Sequence, residues 1–177
     1  MIKYFLIFIC ILNIAWCSSA KSLSDEETLN FDRYIFKRSK EYVSRDPVSI
    51  DNQQILNQIM GIYEFVWEEF TKNLIIASSK IKEGLDWLQF MTLNASKLTS
   101  EIKWLVSDGY NEIIIECGDK EINAYIHQLH LNHQDQTHYM LQLYFVDQWQ
   151  GYILSAYTDN SDDIETYRSY FKTLTCN

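Results

Sequence analysis

The sequence predicts an exported α+β domain in which N-terminal helices cover a four-stranded antiparallel meander and a short helix closes the chain. Three observations carry this. From Asn111 to Asp159, segments rich in β-branched and aromatic residues follow one another and are cut apart by turn chemistry. Before them, from Ile55 to Leu105, apolar residues recur every three or four positions, the helical period. After them, Ile164, Tyr167, Phe171 and Leu174 form one further short stripe. The alternative is an all-α bundle, because Ile122, Ile126 and Leu129, inside the predicted sheet, also have helical spacing.

Residues 1–20 read as a secretory signal peptide. Lys3 precedes an apolar run from Tyr4 to Trp16, and Ser18-Ser19-Ala20 supplies a small-residue exit. That run is shorter than the roughly 20 residues a membrane-spanning helix needs. No later segment is apolar enough, so no membrane span is expected. A lipoprotein reading would place lipid on Cys17, but the bulky Trp16 precedes it where a small residue is usual. Residues 21–177 are then a single domain in the periplasm or the extracellular space. Two cysteines remain there, Cys117 and Cys176, and an oxidising compartment makes a disulfide their simplest state, with two unpaired thiols as the alternative.

Asp and Glu number 24 against 15 Lys and Arg, for a formal net charge of −9. Loss of Lys3 with the leader makes the chain one unit more negative. Nucleic acid and anionic membranes are excluded as partners on this ground, since both call for a basic face.

The helical half is predicted over about residues 24–106. Ser22-Leu23-Ser24-Asp25-Glu26-Glu27 has the acids expected at a helix start, and Asp46-Pro47 ends that element. The long stripe that follows would span about 75 Å as one straight helix. It is therefore expected to break at Ser78-Ser79, at Glu83-Gly84 or between Thr92 and Ser96. Ser107-Asp108-Gly109 is read as the turn into the sheet. The sheet and closing helix are predicted over about residues 111–176. Gly118-Asp119 has the chemistry of a two-residue hairpin, Asn132 to Thr137 is a polar break, and Asp147 to Gly151 is a short loop. In Glu121–His133 the alternation of Ile122, Ala124 and Ile126 slips to Leu129 and Leu131, as a bulge would cause.

The tail Gln150-Gly151-Tyr152-Ile153-Leu154-Ser155-Ala156-Tyr157-Thr158, with Asp162-Asp163-Ile164 and the stretch from Tyr167 to Leu174, resembles the end of PsbP/Mog1-like domains. Those end in a Gly-Tyr-apolar-Leu strand, a polar turn and a helix bearing Tyr and Phe. The resemblance covers about residues 150–174 and rests on pattern, without a distinctive motif. It implies an antiparallel sheet flanked by helices and a non-enzymatic binding or assembly factor. It transfers no functional residue. The helical half read before Ser107 departs from that family's usual strand-first opening.

Candidate chemistry gathers at the histidines, all four of which lie between His127 and His138. In a hairpin turning near Asp135, His133 and His138 would stand opposite each other with Asp135 at the tip, an open site for Zn or Cu. Solvated histidines of a polar hairpin, or a pH-responsive loop, are the other readings. No nucleophile elbow, phosphate loop, dinucleotide fingerprint or Cys-x-x-Cys is present. Glu112 and Glu116 would share a strand face, where paired carboxylates can do acid–base work or simply keep an edge soluble. Trp149, in a predicted turn between polar residues, is the candidate contact residue. Asn94-Ala95-Ser96 is a glycosylation sequon in a eukaryotic host. Together these predict an exported, non-enzymatic binding module with a protein partner and no required cofactor. A metal-binding protein or metal-dependent enzyme using His133, Asp135 and His138, and a carrier holding a small apolar ligand between helices and sheet, are the alternatives.

Overall fold

The structure, a computed structural model, describes residues 26–40, 42–45, 59–67, 70–81, 85–102, 104–133 and 136–177. Among them are ten strands and two helices. The strands are β1 (Glu26–Phe31), β2 (Tyr34–Ser39), β3 (Tyr42–Arg45), β4 (Ile59–Trp67), β5 (Phe70–Lys80), β6 (Leu105–Cys117), β7 (Lys120–His133), β8 (Gln136–Asp147), β9 (Gln150–Thr158) and β10 (Thr175–Cys176). The helices are α1 (Trp87–Glu101) and α2 (Asp163–Lys172). All strands join one sheet in the order β1-β2-β10-β6-β7-β8-β9-β5-β4-β3.

This overturns the predicted helical half. The described parts of residues 26–80 are strands, and a four-stranded sheet beneath N-terminal helices is replaced by a ten-stranded one. The all-α alternative fails with it. The physical cause is burial on both faces. Leu74, Ile75 and Ile76 are all buried, so the middle of β5 is a continuous apolar run without alternation. Such a run contains residues at every spacing, including three and four, and its β-branched content is the better guide. In β1, Glu26 and Glu27 of the predicted helix start lie on a strand whose buried residues, Leu29 and Phe31, alternate with exposed ones, while Asp25 lies outside the described residues. The helical stretch begins only at Asp86. There a capping box forms: the Asp86 carboxylate accepts from the Gln89 N–H at 2.8 Å, and the Gln89 side chain accepts from the Asp86 N–H at 3.2 Å.

Tight hairpins organise the sheet. Phe31 pairs with Tyr34, Cys117 with Lys120 and Asp147 with Gln150, leaving two residues at each tip. Asp32 (φ 51°), Gly118 (φ 62°) and Gln148 (φ 54°) take the left-handed conformation at the first turn position. The connection from β2 to β3 is as short: Lys40 and Glu41 are the only residues between strands that lie near opposite margins of the sheet. Three peptide steps reach about 10 Å. The sheet must therefore curl until its margins approach, and it does. Phe31 and Tyr34 pack against Phe145 and Tyr152 across the inside of the curl, with ring centroids 4.9–6.3 Å apart.

The inner face holds the main core, which runs from Leu29 and Phe36 through Ile115, Ile126, Leu141 and Leu143 to Ile164, Tyr167 and Phe171 of α2. The outer face is covered by α1. Trp87 stacks on Tyr125 at 4.4 Å, Phe90 and Met91 pack with Tyr144, and Ile102 joins Leu105, Leu129, Met140 and Tyr157. Here the predicted bulge in β7 receives a different explanation. The β7–β8 pairing runs without a shift from Ala124 to His133. Ile122, Ala124 and Ile126 lie under the inner core, whereas Leu129 and Leu131 lie under the α1 layer. The pattern slips because the covering layer changes face.

The two-residue β10 fills the gap between β2, to which it is antiparallel, and β6, to which it is parallel. Cys176 on β10 forms a disulfide with Cys117 at the end of β6, with Cα atoms 4.7 Å apart. The closed loop spans 59 positions, a cross-link of about 4 kcal/mol on the chain-entropy account.

Gly151 lies in β9, not in a loop, with Val146 and Ser79 as its strand partners. A Cβ there would stand 2.5 Å from the Phe90 ring, which α1 and the sheet hold buried. Gly151→Ala is expected to destabilise the fold by about 1–3 kcal/mol through overpacking. Urea unfolding would measure it, and Phe90→Leu in the same chain should recover part of the loss.

Candidate functional site

β6 is the fourth strand of ten, yet it exposes more large apolar surface than a central strand should. A bulge sets this up. Between Ser107 and Gly109 the register with β7 shifts, so that Asp108 is the extra residue, and Gly109 has φ 124°. The sequence reading placed a turn here, but the segment lies within the strand. Leu105 and Ser107 before the bulge, and Tyr110, Glu112, Ile114 and Glu116 after it, then share the outer face. Ile113, Ile115 and Cys117 turn inward to the core. α1 covers Leu105 through Ile102 and then crosses β7 and β8, leaving the rest of β6 bare. Tyr110 is 48 % and Ile114 54 % exposed. Leu88 on α1 is exposed, as are Val106 on the inward-turned side of β6 and Trp104, which enters the strand with φ 68°. A bulky residue at positive φ is uncommon and costs backbone energy.

Beside this surface a row of polar groups crosses the sheet under α1: Tyr110, His127, Gln142 and Ser155 are successive strand partners. His127 is wholly buried. Its Nε2 lies 2.8 Å from the Ser107 hydroxyl, the Tyr110 ring stacks on it at 4.1 Å, and its Nδ1 has no hydrogen-bond partner. Gln142 donates to the Ser155 hydroxyl at 3.0 Å and accepts from the Tyr144 hydroxyl. Burial pushes the His127 pKa down to about 4, against a small opposing effect from Asp108, and it pushes the Tyr144 hydroxyl far up.

His133 pairs with Gln136 and His138 with Leu131, so the two histidines are not directly opposite, and Asp135 lies outside the described residues. His138 stacks on Tyr157 at 5.6 Å. His127 and His130 lie on opposite faces of β7, and His130 contacts Asp108 at 2.7 Å. Among the described residues no three His, Cys, Asp or Glu side chains converge as metal ligands. Trp149 is 57 % exposed at the tip of β8–β9, and its carbonyl accepts from the Ile81 N–H at 2.9 Å. Asn94 is half-buried within α1 and donates to the Phe90 carbonyl at 2.7 Å. Between α1 and the sheet, Phe90, Met91 and Ile102 pack directly on the side chains below. Glu112 and Glu116 do share the outer face, but Tyr110, Ile114 and Glu121 were not singled out. The signal for them was Gly109 inside a strand pattern, which marks a bulge.

The buried histidine has a pH consequence. Its folded pKa lies below the 6.5 of an unfolded chain, so the unfolded state takes up the proton first. The stability of neutral His127 is fully present above pH 6.5 and is lost as pH falls toward 4, by up to about 3 kcal/mol. Urea midpoints should fall between pH 6.5 and 5, before most carboxylates titrate, and His127→Phe should flatten that part of the profile.

No family model matches this chain, and no curated protein matches it in sequence. Among the described residues no helix is long and apolar enough to cross a membrane. Solved structures do match. The Saccharomyces cerevisiae Ran-binding protein Mog1p gives a TM-score of 0.49 at 8% identity over 82% of each chain, too distant to argue from. A Pseudomonas aeruginosa protein of unknown function, described as a putative regulator, gives 0.53 at 6% identity over 85% of this chain and 96% of that one. Cyanobacterial PsbP (CyanoP) from Synechocystis sp. PCC 6803 gives 0.60 at 11% identity over 91% of this chain and 97% of that one. The fold is therefore PsbP-like, in agreement with the resemblance carried by residues 150–174.

Proposed function

We propose that this protein is an exported, non-enzymatic accessory module that binds a partner protein through the uncovered outer face of β6, with Trp149 as a second contact. One observation carries the reading. Tyr110 and Ile114 on the outer face of one central strand, with Trp104 in its lead-in, are exposed large apolar residues. Clustered apolar exposure rimmed by charge is characteristic of interaction surfaces, and aromatic side chains there supply much of the binding energy. Export is supported by the leader-like residues 1–20 and by the Cys117–Cys176 disulfide, a bond that persists in oxidising compartments. The Ser107–His127 pair weighs against nucleophilic catalysis. A base with a pKa of about 4 takes a serine proton poorly, and no carboxylate orients the ring through Nδ1.

The test is site-specific photo-crosslinking of the full chain in its native compartment. With p-benzoylphenylalanine in place of Ile114, discrete protein adducts are expected. The same label in place of Glu165, exposed on α2, should give none of them. Tyr110→Ser should weaken the adducts by about tenfold, and Trp149→Ala by less. Equal labelling from both positions, or none from position 114, would overturn the reading.

A further inference from the structure

The protein-binding reading can be taken to the chemistry of the partner, and the following inference rests on it. We infer that the bare outer face of β6 and β7 receives a cationic segment of the partner, one that presents Lys or Arg beside an apolar residue. The first ground is the charge on the face. Three carboxylates on these two strands, Glu112, Glu116 and Glu121, are exposed on it. Glu116 and Glu121 are direct partners across the β6–β7 ladder, where like charges repel at close range. Neither makes an ion pair with another described residue.

Two cations of the same sheet are already engaged. Lys120 reaches to the inner side and meets Asp147 at 2.8 Å, and Lys37 on β2 lies 3.6 Å from Glu26. The repulsion is thus left standing in the isolated chain, and a cation from outside would relieve it. The second ground is the apolar surface between the acids. Tyr110 and Ile114 bracket Glu112 on the same face, so a segment pairing with the carboxylates would also bury both side chains. The floor of this surface is incompletely satisfied as well, since His127 lies beneath the Tyr110 ring with Nδ1 unpartnered. Acidic groups in such a position act chiefly on the association rate and its salt dependence, while the apolar side chains hold the complex.

The test uses the full mature chain and fluorescent peptides of equal length: a Lys/Arg–Leu peptide, its Glu/Asp–Leu counterpart and a Gly–Ser control, followed by anisotropy at low and high salt. The Lys/Arg–Leu peptide alone is expected to bind, more weakly as salt rises. The pair Glu116→Gln and Glu121→Gln should reduce its affinity by about tenfold. Those two changes remove a repulsion, so the thermal midpoint should hold or rise, which separates a lost contact from a lost fold. Tyr110→Ser with Ile114→Ser should reduce affinity further.

Equal binding of the acidic peptide, or wild-type affinity in the Gln pair, would overturn the inference. So would sedimentation showing a dimer that Ile114→Ser dissolves, because the occupant would then be a second copy of this acidic chain. Adducts from position 114 that persist unchanged in the Gln pair would sink the cationic partner and leave the protein-binding reading intact. Absence of both adducts and peptide binding would remove both.

Discussion

Asp147 is buried at the end of β8, and a carboxylate is tolerated there only because three donors from three separate segments meet it. The Tyr34 hydroxyl of β2 donates at 2.6 Å, the Lys120 ammonium of β7 lies at 2.8 Å, and the Arg33 guanidinium of the first hairpin tip completes the set. A buried charge without partners would cost several kcal/mol, so the three tips must stay together. Tyr152 adds a hydrogen bond to Asp32 in the same first tip. The disulfide lies along the same seam, because Cys117 immediately precedes the second tip. The curl of the sheet, and with it the division into a filled inner face and an outer face left to α1, depends on this convergence. Lys120 and Arg33 are partly exposed, so they can regain water if the carboxylate is removed, whereas the wholly buried Tyr34 hydroxyl cannot.

How far the fold was legible depended on whether the deciding signal was local. Gly118 announces its hairpin because positive φ is a property of that residue alone. The α2 stripe is legible because a short amphipathic helix on one face has a single buried side. β5 defeated the same method because burial of Leu74, Ile75 and Ile76 on both faces erases alternation, and a helical period can be drawn through any continuous apolar run. Asp32 and Gln148 hold positive φ without being glycine, so their tight tips carried no comparable mark.

The candidate surface was less legible still. Ile113-Ile114-Ile115 reads as a buried strand, and two of the three side chains are turned inward, but which two depends on the bulge at Asp108. Removing that one residue from the ladder would exchange the faces of everything between Ser107 and Cys117. The exposure of Ile114 also depends on where α1 lies, a tertiary matter that no window of sequence reports. The histidine grouping shows the converse. Proximity in sequence placed four imidazoles within a dozen positions, and strand alternation then set His130 on the face opposite His127.

The position of β10 has a consequence for the order of events in biogenesis. Among the described residues Thr175 and Cys176 alone join the β1–β2 hairpin to β6 in the ladder, and synthesis delivers them after every other described strand. Sequence-distant contacts of this kind are slow to form. The first hairpin to emerge is therefore the last to be seated, waiting through the synthesis of the whole meander for its neighbour to arrive. Until then the chain remains open along one seam, which the pairing of Cys176 with Cys117 closes.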